Sequence, residues 1–198
     1  MTTAPAPDYV DVWYKTSATD PMPLRAALEG SVEADVCIIG AGLAGLSAAH
    51  HLAKGGRSVV MIEAARIGWG ASGRNGGFVA PGYALGHEGI AAKVGETAAK
   101  ELHRLSIEGM QIVSDNVKDL GISGAAIRPG ILGTVRYDAG CELRDYRDWL
   151  AKEFDYSVTH LDRTELAAHV TSTRYHQALH DENAFHIDPL AYCHGLAR

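Results

Sequence analysis

The stretch from Asp35 to Gly77 constrains the chain more than any other. Asp35-Val36-Cys37-Ile38-Ile39 is a short apolar run, which predicts a buried strand with Cys37 as a small buried hydrophobe. Gly40-Ala41-Gly42-Leu43-Ala44-Gly45 follows at once and leads into a helical segment, Leu43 to Lys54, ended by Gly55-Gly56. Ser58-Val59-Val60-Met61-Ile62 repeats the strand pattern and closes on Glu63. Each glycine of the first loop has a physical task. Gly40 permits the tight turn off the strand, Gly42 lets the backbone approach a pyrophosphate, and Gly45 lets the helix lie close to the sheet. The helix N-terminus then offers unpaired N–H groups and partial positive charge to phosphate.

Glu63 lies 23 residues beyond Gly40, near the offset expected of the acid that binds a ribose. Its carboxylate can accept from both ribose hydroxyls and disfavours a 2′-phosphate, so FAD or NAD fits better than NADP. Five of the ten residues from Gly68 to Gly77 are glycine, with Ser72, Arg74 and Asn75 as the polar members. Such a backbone can approach a large flat ligand and present several N–H donors. Arg74 suits a phosphate or a carboxylate. A second glycine loop directly after the acid favours FAD over NAD. A non-catalytic dinucleotide module and an NAD-dependent dehydrogenase stay open as alternatives.

The remaining chain reads as follows. The first 34 residues are a loosely ordered lead-in, with Tyr9, Val10, Val12, Trp13 and Tyr14 packing on the main body and a turn at Asp20-Pro21-Met22-Pro23. Val79 to Glu88 is a connection, and a long helix runs from Glu96 to Leu120. Its expected buried stripe is Leu102, Leu105, Gly109, Ile112, Val113 and Leu120. Ile127–Val135 is strand-like around Pro129-Gly130, Cys141–Phe154 is a second amphipathic helix, and Ser157–Leu161 is a short strand. Asp162 and Glu165 form a capping box for a helix reaching His169. Two short strands, Gln177–His180 and Ala184–Ile187, flank a turn at Asp181-Glu182-Asn183. Asp188-Pro189 starts a last helix. With only two strands offered to the parallel sheet and no closing element, the chain is expected to be a fragment of a longer protein.

Composition narrows the function classes. Ten of the 22 glycines lie between Gly40 and Gly77, so the excess marks a ligand loop and not low complexity. The net charge of −6, without a dense basic cluster, argues against nucleic acid or an anionic membrane as partner. Cys37, Cys141 and Cys193 form neither a metal spacing nor a disulfide framework, which suits a reducing compartment. With no signal-peptide pattern and no run long enough to span a membrane, a cytoplasmic location is expected. His176, His180 and His186 do not share a helix face, so no metal ligand is assigned. His87, His103 and Tyr83 read as ordinary surface or half-buried residues.

The run from Asp35 to Ala49, with Glu63-Ala64 and Gly68-Trp69-Gly70-Ala71-Ser72-Gly73-Arg74-Asn75-Gly76-Gly77, resembles the N-terminal part of the FAD-dependent amine and amino-acid oxidoreductases. These form the D-amino-acid oxidase and sarcosine oxidase superfamily. The Gly-Ala-Ser-Gly-Arg-Asn-Gly-Gly string most resembles the gamma-glutamylputrescine oxidoreductase branch. Arg128-Pro129-Gly130-Ile131-Leu132 and His186-Ile187-Asp188-Pro189-Leu190 also fit it. The likeness is strong over 31–82 and looser after 120.

The resemblance implies an α/β fold: a Rossmann-like FAD-binding βαβ domain with the first part of an α+β substrate domain, incomplete at the C-terminus. The expected divisions are a lead-in at 1–30, the FAD-binding part at 31–120, a partial substrate domain at 121–187, and a return to the FAD domain at 188–198. FAD would be held by Gly40, Gly42, Leu43, Ala44, Gly45, Glu63, Ala64, Gly70, Ala71, Ser72, Arg74, Asn75, Gly76 and Gly77. Such enzymes oxidise the C–N bond of a small amine or amino acid by hydride transfer to flavin. The imine hydrolyses, and oxygen commonly reoxidises the flavin. No catalytic residue is assigned, because the family's reacting face lies in its second half.

Overall fold

The computed structural model describes residues 7–17 and 22–198. Of the turn expected at Asp20-Pro21-Met22-Pro23, the first two residues lie outside the described residues. The chain divides into two compact units, the first made of residues up to Gly77, Ser114–Ile127 and Ile187–Arg198, the second of Phe78–Val113 and Arg128–His186.

In the first unit, β1 (Val36–Ile39) and β2 (Val59–Ile62) pair in parallel, in the register Val36↔Val59 to Ile39↔Ile62. A crossover of this length needs a helix, and α2 (Leu43–Lys54) supplies it after a short N-terminal helix α1 (Trp13–Ser17). Asp35 and Ser58 fasten the two strand starts. Asp35 Oδ2 accepts from the Ser58 amide and hydroxyl, each at 2.8 Å, while Ser58 Oγ accepts from the Asp35 amide at 2.8 Å. These bonds hold the Asp35 carboxyl below its usual range, the backbone amide contributing most.

Burial corrects the expectation for the strands. Ile38 faces α2, but Cys37 is exposed and Ile39 is 84 % exposed. Alternating side chains point to opposite faces, and among the described residues α2 covers only one of them. The lead-in needs a similar correction. Trp13 is 76 % exposed on α1 and Val10 is also exposed, so of that cluster the half-buried Tyr9, Val12 and Tyr14 carry the packing.

The last helix, α7 (Pro189–Leu196), belongs to this unit. Asp188 caps it as expected, its carboxylate accepting from the Leu190 and Ala191 amides at 3.0 and 2.9 Å. Leu190, Tyr192, Cys193, His194 and Leu196 are all buried. Gly195 lies against Ile122, and Tyr192 Oη meets Asn116 Nδ2 at 3.1 Å.

The second unit is an antiparallel sheet built on β6 (Gln177–His186). β4 (Arg128–Val135) runs along one edge, and β3 (Phe78–Val79) and β5 (Thr159–Leu161) share the other. The sequence suggests two strands separated by a turn at 181–183, whereas β6 is continuous. Asp181 Oδ1 accepts from the Asn183 and Ala184 amides, each at 3.0 Å, so the turn-forming residues make a local irregularity opposite the Pro129/Ile131 register shift. This is how a bulge absorbs turn chemistry without ending a strand.

The helices are α3 (Gly86–Val94), which takes over the end of the expected connection, α4 (Glu96–Asp119), α5 (Gly140–Phe154) and the single-turn α6 (Arg163–Leu166). Gly95, at φ +83°, separates α3 from α4. The capping box on α6 is formed from both sides, but the helix stops before His169. The buried face of α4 also differs from the expected stripe. Ala99, His103, Met110, Ser114 and Val117 are buried, while Leu105 and Leu120 are 48 % and 43 % exposed. Leu102, Gly109, Ile112 and Val113 are half-buried, but three polar residues of the helix, His103, Ser114 and Asn116, are buried outright, so counting apolar positions alone misses part of the inner face.

Candidate cofactor site

Both glycine loops belong to the first unit and meet at Ala41. Gly40 turns the chain at φ +99°, a value that L side chains rarely adopt, and its amide donates to Ile62 O at 2.8 Å. The Ala41 amide donates to Glu63 Oε2 at 2.7 Å, and the Ala65 amide donates to Oε1 at 2.8 Å. The carbonyl of Ala41 accepts from the Gly68 amide at 2.8 Å. One residue, 2 % exposed, therefore ties the first loop to the acid and to the second loop.

Gly42 is the N-cap of α2 and has no side chain to close it. The next amide, Leu43 N–H, donates to Ser72 Oγ at 2.9 Å. A Cβ on Gly42 would stand 3.1 Å from that same oxygen. At Gly45 a Cβ would overlap Gly40 O and come within 3.2 Å of Ile38 Cγ2. Leu43 and Ala44 are exposed at the helix start.

The second loop is held from within. Gly73 presses against Gly68 O and Leu190, and Gly68 itself packs on Leu190 and Cys193 of α7. Asn75 Nδ2 donates to Ala71 O and Ser72 O at 3.2 and 2.9 Å, while its Oδ1 accepts from the Gly77 amide at 2.8 Å. Arg74 Nε donates to Gly70 O at 3.0 Å, and its guanidinium lies 4.8 Å from the Trp69 ring centre. Arg74 is thus folded on its own loop. Ala64, Ala71 and Gly76 are exposed, and a Cβ on Gly70 would meet nothing within 4 Å. All fourteen expected residues fall in this one unit, with Gly40–Gly45, Glu63 and Ser72 in direct contact.

Sequence reasoning placed Tyr9 against the main body but missed Asp8, Arg66, Trp69, Leu190 and Cys193 as supports of the second loop. Burial pushes the Cys193 thiol up to about 12, with the nearby Asp188 carboxylate adding to it. The Gly-Trp-Gly string was a visible signal for Trp69. Nothing local announces a partner for it.

In the second unit, a cavity of about 110 Å³ is lined by Pro81, Tyr83, His87, Ile90, His103 and Tyr146, among others. His87 Nε2 lies 3.0 and 3.1 Å from the two Glu96 carboxylate oxygens. His103 is 5 % exposed and packs on Phe154 and Trp149, with ring centres 4.4 and 5.4 Å apart. Burial first, then the neighbouring His87, lowers its pKa. Among the described residues, no group of three or more His, Cys, Asp or Glu could hold a metal, and no helix is long and apolar enough to cross a membrane.

A scan against protein-family models matches residues 35–198 to the family described as FAD dependent oxidoreductase. The chain belongs to the FAD-dependent oxidoreductase family. Among its relatives is a probable oxidoreductase OrdL of Haemophilus influenzae, 39 % identical over 171 residues, covering 83 % of this chain and 38 % of that protein. A gamma-glutamylputrescine oxidoreductase of Escherichia coli is 34 % identical over 191 residues, covering 96 % of this chain and 44 % of that one. The chain therefore spans less than half the length of these curated relatives. The L-amino acid deaminase of Proteus myxofaciens shares the fold at a TM-score of 0.69 and 21 % identity, over 88 % of this chain and 38 % of that chain. The two glycine loops and Glu63 thus sit in an FAD-dependent oxidoreductase fold.

Proposed function

We propose that this FAD-dependent oxidoreductase oxidises the C–N bond of a small amine or amino acid. The observation that carries the reading is the convergence of Gly40–Gly45, Glu63 and Ser72 at the N-terminus of α2. Gly42 leaves the helix end open to a pyrophosphate, beside the amides of Leu43 and Ala44. Each carboxylate oxygen of Glu63 already accepts one backbone amide and has a second lone pair for a ribose hydroxyl. The fit is therefore good without rearranging the acid. Ser72 would hold the far side of the pyrophosphate, and the Gly70–Gly77 segment would line the cofactor towards the flavin.

The chemistry FAD supplies when bound is acceptance of two electrons, here as hydride from the carbon bearing the amine. The substrate product is an imine, which water converts to a carbonyl compound and ammonia or an amine. Oxygen is the proposed final acceptor, giving hydrogen peroxide. The first unit would hold the cofactor, and the second would form part of the substrate side. A cytoplasmic location is proposed with it.

The test is the visible spectrum of protein purified from its complete reading frame, followed by anaerobic addition of amines and amino acids. A flavin spectrum bleached by one of them supports the reading. A colourless preparation that binds NAD but cannot be reconstituted with FAD would sink it.

A further inference from the structure

The match to the oxidoreductase family begins at residue 35. The segment ahead of it nevertheless grips the second glycine loop through several side chains. Tyr9 Oη lies 2.8 Å from Ile67 O and 2.8 Å from His194 Nε2. Trp69 Nε1 donates to Asp8 O at 2.9 Å, and the Asp8 carboxylate pairs with Arg66 at 3.1 Å. The Arg66 guanidinium lies 5.5 Å from the Tyr9 ring centre. Two consecutive residues, Asp8 and Tyr9, thus engage three positions, Arg66, Ile67 and Trp69, on either side of Gly68.

Proton counting fixes how Tyr9 works. A carbonyl oxygen can only accept, so the single hydroxyl proton goes to Ile67 O. The bond to His194 must then run the other way, with His194 Nε2–H donating to the phenol oxygen. Burial raises the phenol's pKa, so it keeps its proton. His194 is 4 % exposed and sits on α7 beside Cys193, the residue on which Gly68 packs. Tyr9 therefore bridges the loop and the helix that backs it.

The gripped positions lead directly to the cofactor contacts. Gly68 N–H is bonded to Ala41 O, and Ser72, four residues on, meets the first amide of α2. We propose that Asp8 and Tyr9 form a clasp that sets the second glycine loop for FAD, with Tyr9 a positioning residue for the cofactor. The inference rests on the family's FAD dependence. Without the clasp, ordering of Ile67–Ser72 must be supplied by the cofactor itself, which lowers apparent affinity.

The experiment uses protein from the complete reading frame, as the wild type and as Tyr9→Phe and Trp69→Phe. FAD dissociation constants come from flavin fluorescence on the apoproteins, and apoprotein melting is followed in parallel. Tyr9→Phe is expected to weaken FAD about tenfold, as for the loss of one well-made hydrogen-bonded bridge. Trp69→Phe, which removes the bond to Asp8 O and leaves a smaller ring beneath Arg74, should weaken it about threefold. An FAD constant within twofold of wild type in both variants overturns the clasp, even if apoprotein melting falls, because that is the signature of a purely structural strap. A wild type that binds no FAD overturns the cofactor reading, and the clasp with it. If Tyr9→Phe does not fold, Trp69→Phe decides alone.

Discussion

Replacing Gly45 with alanine sets two known quantities against each other. Alanine in a helix is worth about 1 kcal/mol more than glycine. Here, however, the new Cβ would overlap Gly40 O and stand 3.3 Å from Gly40 C and 3.2 Å from Ile38 Cγ2. Overpacking of this kind costs about 1–3 kcal/mol, and the obstruction is backbone, which cannot rotate away. The net change is a loss of up to about 2 kcal/mol. Relief requires α2 to lift from β1 by on the order of 1 Å to regain ordinary contact distances. That shift moves the Ala44 amide and its neighbours at the open end of α2 off the pyrophosphate position. Losing one hydrogen bond to a charged group costs about 1.5–3 kcal/mol, so FAD should bind roughly ten- to a hundredfold more weakly. Urea unfolding and flavin titration measure the two effects. Gly55→Ala is the internal control, since a Cβ there meets only the His51 and Leu52 carbonyls at 3.4 Å. It should be neutral or stabilising by about 0.5 kcal/mol, with FAD binding unchanged. The reasoning fails if Gly45→Ala binds FAD within threefold of the parent and unfolds at the same urea concentration as Gly55→Ala.

Glu63→Ala strips a charged acceptor from the buried Ala41 amide, so the folded state should lose about 2 kcal/mol in urea unfolding and bind FAD more weakly; an unchanged midpoint contradicts this. A thiol reagent at pH 8 should modify the exposed Cys37 and Cys141 quickly and Cys193 only as the protein unfolds. Three thiols reacting in one fast phase would disprove that placement. The folded-state pKa of His103 is depressed below its ordinary 6.5, so the unfolded chain takes up its proton first and stability falls as pH drops through that value. His103→Leu should show a smaller loss of urea midpoint between pH 7 and pH 5 than the parent; an equal or steeper loss counts against it.

What could be read from the sequence was whatever the local backbone dictates. Gly40 at positive φ, the reciprocal Asp162–Glu165 cap and the Asp188-Pro189 helix start each need only a few adjacent residues, and each is as expected. The position of Glu63 follows from the lengths of one helix and two strands. The covered face of a strand is different. Alternation shows that Cys37 and Ile39 share a side, but only tertiary packing decides that the side is bare. For β6, the turn signal at Asp181-Glu182-Asn183 is real, yet pairing with β4 on both sides of it carries the strand through. His103 and Ser114 look like solvent-facing positions until Trp149 and Phe154 are seen against the former. Tyr9 meets Ile67 across 58 residues and His194 across 185, distances over which spacing carries no information.

The bond from Ile187 N–H to Gly77 O, 3.0 Å long, marks where the chain re-enters the unit it left. During synthesis, the glycine loops are made long before α7, whose Leu190 and Cys193 back Gly68 and Gly73. At about 5–20 residues per second, the delay is on the order of ten seconds. A newborn chain must therefore carry its half-covered nucleotide cradle through that interval, with the apolar strand Val36–Ile39 already outside the ribosome. Slowing translation between Gly77 and Ile187 should raise chaperone demand and aggregation more than slowing it ahead of Val36, before the apolar strand is made.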